Sequence, residues 1–353
     1  MAATGDEPMD EVLFEKRGRA GVITLNRPKA LNALTLGMVD AMDAQLRQWR
    51  TDPSVELVVV RGAGEKAFCA GGDIRALYDS GKAGTPYVID FYAREYRLNT
   101  LIKRFPKPYI ALVNGIVMGG GVGVSVHGSV RVCGEGTMFA MPETGIGLFP
   151  DVGGTYFLPR CPGQIGMYLA LTGARLDVTD ARYAGIATHV VPAAAHAALL
   201  DDLCNGTDAL ERVLSRHAVT AQNKPKLEGL QQAIDMLFGG GSVEDIMASL
   251  EAGKSLFEEQ TVKSLKGKSP TSLKVAFRQV REGAKLGFED CMRLEFRLTN
   301  RFMRGHDFYE GVRAVIIEKD NAPKWDPPSL DLVRSRDVDR YFAPLDGGDL
   351  ELG

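Results

Sequence analysis

The chain has 353 residues, 45% of them hydrophobic and 25% charged, enough for a full-sized core plus an appended domain rather than one small module. Its formal net charge of -3 leaves no surplus of Lys or Arg to neutralise a phosphate backbone, which excludes nucleic acid as an expected partner. The five cysteines (Cys69, Cys133, Cys161, Cys204, Cys291) are odd in number and never spaced as C-x-x-C, so they argue against a disulfide framework or zinc knuckle and for a reducing cytoplasm.

The opening MAATGDEPMDEV is acidic where a signal peptide needs a basic end and a transit peptide needs arginines, so no export is expected. GVITLN (21–26) and ELVVVRG (56–62) read as strands, and the apolar spacing of NALTLGMVDAMDAQLRQWR between them is helical, a βαβ beginning. A Gly-rich loop (62–73), a helical stretch (87–105) and a buried strand YIALVNG (109–115) follow, then a glycine turn into a helix and another strand and loop (129–153). Strands alternating with helices predict an α/β layered architecture. The span 109–130 lacks charge, but Asn114, His127 and three consecutive glycines suit a buried strand and turn better than a membrane crossing. Beyond THVVP (188–192) the chain reads as amphipathic helices broken by Gly and Pro, which divides it into an α/β core over 1–204 and a helical portion over 205–353.

Several motifs fail. MGGGVGVSV does not satisfy G-x-G-x-x-G in any register, so no nicotinamide cofactor is expected. Ser125, in G-V-S-V-H, lacks the second glycine of a nucleophile elbow and reads as structural. The five histidines show no paired metal-ligand spacing, so no metal site is expected.

What stands out is a pair of glycine turns, KAFCAGGDIR (66–75) and NGIVMGGGVG (114–123). Each can aim a free backbone amide at a ligand, and two converging amides stabilise the oxyanion formed when a carbonyl is attacked or enolised. Glu143 and Asp151 lie in FAMPETGIGLFPDVGG, apolar and free of basic residues, where burial would raise a carboxyl toward a useful range. On a helix, Phe91, Glu95, Leu98 and Ile102 share one face, setting Glu95 within an apolar stripe; an exposed acid paired with Arg94 or Arg97 is equally compatible with that spacing.

Over about residues 13–200 these motifs resemble the crotonase, or enoyl-CoA hydratase/isomerase, superfamily. MGGGVGVSVHG, FAMPETGIGLFPDVGGTYFLPR, SPTSLKVAFRQ and MRGHDFYEGVRAVIIEKD extend the resemblance almost to the end and are most similar to its 3-hydroxyisobutyryl-CoA hydrolase branch. The resemblance implies a spiral of ββα units with a helical C-terminal domain, and hydrolysis of a short 3-hydroxyacyl-CoA in valine breakdown. It implies oxyanion amides from Gly72 and Gly120, a principal catalytic carboxylate at Glu143, and further substrate-site acids at Asp151 and Glu95. It also implies a coenzyme A contact along Lys29, Ala30 and Leu31 and along Ala70, Asp73 and Ile74. Coenzyme A is then part of the substrate, with no separate cofactor. Relatives of this type assemble as trimers or pairs of trimers, although the longer C-terminal portion here could cover that surface. One departure separates close alternatives. Hydratases carry a second glutamate just after the glycine triplet, where this chain has Gly123, while Asp151 stands where they commonly have glycine. Hydration or isomerisation on the same fold is the competing expectation.

Overall fold

A computed structural model describes residues 10–220 and 223–353. The acidic opening on which the leader reading mostly rests, residues 1–9, lies outside the described residues.

The chain builds two sheets at once. The larger has the order β1 (Val12–Arg17), β2 (Ala20–Leu25), β3 (Leu57–Gly62), β5 (Tyr109–Val113), β7 (Val130–Cys133), β9 (His189–Val190), and the smaller has β4 (Ala67–Cys69), β6 (Ile116–Met118), β8 (Met138–Ala140). Among the named strands only β1 and β2 pair antiparallel; their other pairings are parallel. Between residues 57 and 140 the chain repeats one unit three times: a strand for the large sheet, a short strand for the small one, then a turn or helix. This is the ββα spiral that the family resemblance implies.

The large sheet is covered on both faces, which is why its central strands are near-continuous apolar runs rather than alternating ones. Along β3, Val58 and Val60 face the main core while Leu57 and Val59 face a second core under Leu199, Leu203 and Leu214. On the main-core side α1 (Leu36–Thr51) begins at Thr35, whose hydroxyl accepts from the Met38 amide at 3.2 Å, and buries Met38, Val39, Met42, Leu46 and Trp49. The helix α2 (Ile74–Ala83) starts on Asp73, and α3 (Tyr87–Lys103) buries Phe91, Glu95, Leu98 and Ile102, the predicted stripe.

The uncharged span 109–130 becomes β5, β6, the short helix α4 (Gly120–Gly123) and turns, and among the described residues no helix is long and apolar enough to cross a membrane. The helix expected after the glycine turn is only this short. Ser125 bonds back to the Gly121 carbonyl at 2.8 Å and Gly128 packs against the Tyr109 ring, so the chain leaves the helix within a turn.

Beyond residue 205 the chain is helical, and its helices join the core rather than stand apart. The main apolar cluster runs from Val12 to Leu352 and includes Leu273, Val275, Met292, Leu298 and Phe302 from the helices Pro270–Gly283 and Phe288–Phe302.

Candidate active site

The small sheet places the site. Its three parallel strands pair Ala67 with Ile116, Cys69 with Val117 after a register shift, and Met118 with Ala140, so their C-terminal ends lie side by side. Those ends run directly into Ala70-Gly71-Gly72, Gly119-Gly120 and Met141-Pro142-Glu143. Each turn of the spiral thus delivers one element to a common cavity of about 80 Å³, lined by Gly72, Gly120, Glu95, Glu143, Asp151 and apolar residues that include Phe91, Met118 and Leu148.

Glycine is required where these turns bend. Gly71 has φ +120° and Gly119 φ +45°, left-handed conformations that side chains rarely adopt. A Cβ at Gly119 would stand 3.4 Å from the Gly71 Cα and 3.5 Å from Glu143 Oε1, so the two turns and the acid meet at one point. A Cβ at Gly120 would lie 3.3 Å from the Gly72 nitrogen and collide with Glu95 Oε1. The first amides of α4 have no intrahelical acceptor, and neither Gly72 nor Gly120 donates to a backbone carbonyl among the described residues. Two unengaged amides therefore converge beside two carboxylates.

Three carboxylates line the cavity, Glu95, Glu143 and Asp151, and a fourth, Glu295, stands behind the turn of Asp151 on the amides of Gly153 and Thr155; all four are buried. Burial, then the Asp151 charge, pushes Glu143 well above the usual carboxylate range; its own amide and the Lys268 ammonium oppose this. Burial and the neighbouring Asp151, Glu295 and Glu143 do the same to Glu95. Asp151 is pushed up to about 7 by burial, against the hydrogen bond Tyr96 donates to it at 2.8 Å. Glu295 is pushed up to about 8 by burial and Asp151, against the amides of Gly153 and Thr155 that donate to it. Burial raises the cost of ionising each of these acids, and for Glu95, Glu143 and Glu295 the charge of Asp151 adds to it. Glu143 Oε2 and Glu95 Oε1 accept no hydrogen bond from any described residue.

Asp151 stands on a strained turn that the C-terminal helices hold in place. Val152 adopts φ +48°, costly for a β-branched residue, and the neutral His127 imidazole, pushed down to about 3 by burial, donates to its carbonyl at 2.7 Å. Glu295 accepts from the amides of Gly153 at 2.8 Å and Thr155 at 2.9 Å. Gln279 donates to the Pro150 carbonyl at 2.5 Å, and Thr299 bonds Tyr96 at 2.8 Å, the same hydroxyl that grips Asp151.

A family profile described as Enoyl-CoA hydratase/isomerase matches residues 20–342. A 3-hydroxyisobutyryl-CoA hydrolase, mitochondrial, from Danio rerio is 51% identical over 350 residues, covering 97% of this chain and 92% of its own. The human protein of the same name is 46% identical over 350 residues, covering 97% and 91%. The chain belongs to the enoyl-CoA hydratase/isomerase family. Two solved structures superpose closely: a carnitinyl-CoA dehydratase from Mycobacterium thermoresistibile (TM-score 0.92, 42% identity) and an enoyl-CoA hydratase from Rhodobacter sphaeroides 2.4.1 (TM-score 0.91, 44% identity). Each comparison covers 97% of this chain and 99% of the other. The relatives' mitochondrial names overturn the cytoplasmic expectation. All five thiols are free and buried, a state that fits any reducing compartment and cannot single out one.

Within this family member the expected site residues divide by location. Gly72, Gly120, Glu95, Glu143 and Asp151 line one cavity, together with Ala70 and Ile74. Arg94 and Arg97 are engaged elsewhere, by Asp40 and by the Glu351 carbonyl, which settles Glu95 as buried rather than surface-paired. Lys29, Ala30 and Leu31 form a short turn outside the cavity, joined to it where the Ala70 amide donates to the Leu31 carbonyl at 3.0 Å. Asp73 caps α2 and pairs with Arg27 at 3.1 Å, so its carboxylate is engaged in holding the turn. Sequence reasoning missed Glu295, Lys268, Tyr96 and Asn99. For Glu295 a signal exists: Phe288, Cys291, Met292, Leu298 and Phe302 make the same kind of stripe around it that marks Glu95.

The raised Asp151 carboxyl makes stability depend on pH. Its proton is retained on folding where the unfolded chain would release it, so its contribution is fully present below the ordinary 3.8 and lost as pH rises through about 7. Asp151→Asn lacks this dependence. The unfolding free energy of the wild type minus that of the variant is expected to fall by up to about 4 kcal/mol from pH 4 to 8. Urea unfolding at both ends checks this, and a pH-independent difference would mean that Asp151 is ionised throughout.

Proposed function

We propose that this chain hydrolyses a short 3-hydroxyacyl-CoA thioester, 3-hydroxyisobutyryl-CoA, to the free acid and coenzyme A. Gly72 and Gly120 amides polarise the thioester carbonyl and hold the oxyanion. Glu143 either attacks the carbonyl carbon, giving a mixed anhydride that water opens, or takes a proton from the attacking water. In either route the carbon–sulfur bond breaks, the thiolate leaves as coenzyme A, and water supplies the acid's new oxygen. Asp151 and Glu95, both raised by burial and Glu95 also by the Asp151 charge, bind the 3-hydroxyl and protonate the leaving thiolate. The small volume of the cavity, about 80 Å³, supports a short acyl group. The step belongs to valine breakdown in this reading.

The observation that carries hydrolysis over hydration is the packing at Gly123. A Cβ there would meet Asn99 Nδ2 at 2.8 Å and Val152 Cβ at 2.9 Å, so the space a second hydratase glutamate would use is already filled. The acids that remain are Glu143, Asp151 and Glu95 around the two amides. The solved relatives described as a hydratase and a dehydratase make hydration the second reading.

Release of free thiol from 3-hydroxyisobutyryl-CoA, measured beside hydration of crotonyl-CoA with one preparation, separates the two. Fast thiol release with negligible hydration is expected. Hydration without thiol release would reject the hydrolase and leave the family assignment intact.

A further inference from the structure

Asn99 lies one helical turn after Glu95 on α3 and is fully buried, yet neither its Nδ2 nor its Oδ1 has a partner among the described residues. Each unsatisfied buried amide group costs roughly 1–3 kcal/mol, so an asparagine here needs a reason. Its surroundings supply one. Two glycines of α4, Gly120 and Gly123, face this side of α3: a side chain at the first would strike the Glu95 carboxylate, and one at the second the Asn99 amide. The helices thus approach through glycine, and the approach brings the Glu95 Oε1 and both Asn99 polar atoms, three unpartnered buried groups, to one seam behind the oxyanion turn.

We propose that Asn99 binds a structural water which it shares with Glu95, and that through this water Asn99 is a positioning residue for the Glu95 carboxyl. A buried water making about three hydrogen bonds satisfies such a set, with the amide acting as both donor and acceptor. Without this water, Oε1 has no described partner to decide which carboxyl oxygen of Glu95 carries the proton. Fixing one arrangement aims that proton at the substrate. The inference rests on the reading of Glu95 as a substrate-site acid. The charged groups facing Glu95 are Asp151 from the Pro150–Thr155 turn, Glu295 from the Phe288–Phe302 helix and Glu143 from the turn after β8, all of one sign.

The test has two parts, both on the full-length protein. A high-resolution crystal structure of the wild type is expected to show an ordered water within hydrogen-bond distance of both Asn99 and Glu95; a dry seam would overturn the proposal. Asn99→Leu, close in volume and apolar, is then expected to lower kcat about 10- to 100-fold with little change in KM and to displace the acid limb of the pH–rate profile. A purely structural asparagine predicts altered thermal stability with kcat and pH profile unchanged, which would also overturn it. Should Asn99→Leu fail to fold, Asn99→Asp keeps the acceptor and adds a like charge, and the same limb is expected to move to higher pH; an unmoved limb counts against the proposal. If the wild type itself releases no thiol from 3-hydroxyisobutyryl-CoA, the hydrolase reading fails, while the water between Asn99 and Glu95 remains to be found or not.

Discussion

Replacing Glu143 by Gln is expected to lower kcat for thiol release by about 10³-fold or more while leaving acyl-CoA affinity within a few-fold of the wild type. The substitution keeps the size and shape of the side chain, which sits buried on a short turn directly after β8. It removes the only property the mechanism uses, a carboxylate oxygen able to attack or to take a proton. Glu143 Oε2 has no described partner to lose, so the fold should tolerate the change. Stability should hold or rise, because the variant no longer carries an acid driven far above its ordinary range by burial and by Asp151. Binding persists because the oxyanion amides come from the other two strand ends. Turnover, binding calorimetry with coenzyme A and thermal unfolding check the three parts together. A variant that hydrolyses at near wild-type rate would remove Glu143 from the chemistry and leave Asp151 or Glu95 as the principal acid.

What the sequence disclosed, and what it concealed, follows from the range of the signals. Glu95 was visible because an acid inside an apolar helical stripe breaks a local pattern, and Glu143 because a carboxylate amid Pro, Gly and aromatics has no local partner. The small sheet was not visible. Its strands have three residues each, too short to show a period of two, and yet their ends gather Gly72, Gly120 and Glu143. The strand β1 was also missed, its Glu and Lys residues masking the alternation of a half-buried edge. Glu295, Gln279 and Thr299 act on the turn of Asp151 from more than 120 residues away, and no local pattern reports such a contact. Asn99 is the sharpest case: read along the chain it is one polar residue on a helix, and only the approach of Gly123 reveals it as buried and unpartnered.

That approach yields the second large effect. Gly123→Glu, which installs the glutamate that hydratases carry, is expected to destabilise the protein by roughly 3–5 kcal/mol, abolish thiol release and confer no hydration of crotonyl-CoA. The new side chain would begin 2.8 Å from Asn99 Nδ2 and 2.9 Å from Val152 Cβ, neither free to yield. Asn99 is wedged between α3 and α4, and Val152 is pinned at φ +48° by its neighbours, so making room means shifting the turn that carries Asp151. A fifth carboxylate would also join four buried ones, raising the cost of ionising any of them. Adding Asn99→Gly removes the nearest collision and is expected to return part of the lost stability but not the thiol release, since Val152 still crowds the site and the turn of Asp151 stays displaced. Chemical unfolding and the paired thiol and hydration assays decide it. A Gly123→Glu protein of native stability would show the seam to be loose, and the appearance of hydration in it would mean that residue 123 alone, rather than the acids around Asp151, separates the two reactions on this fold.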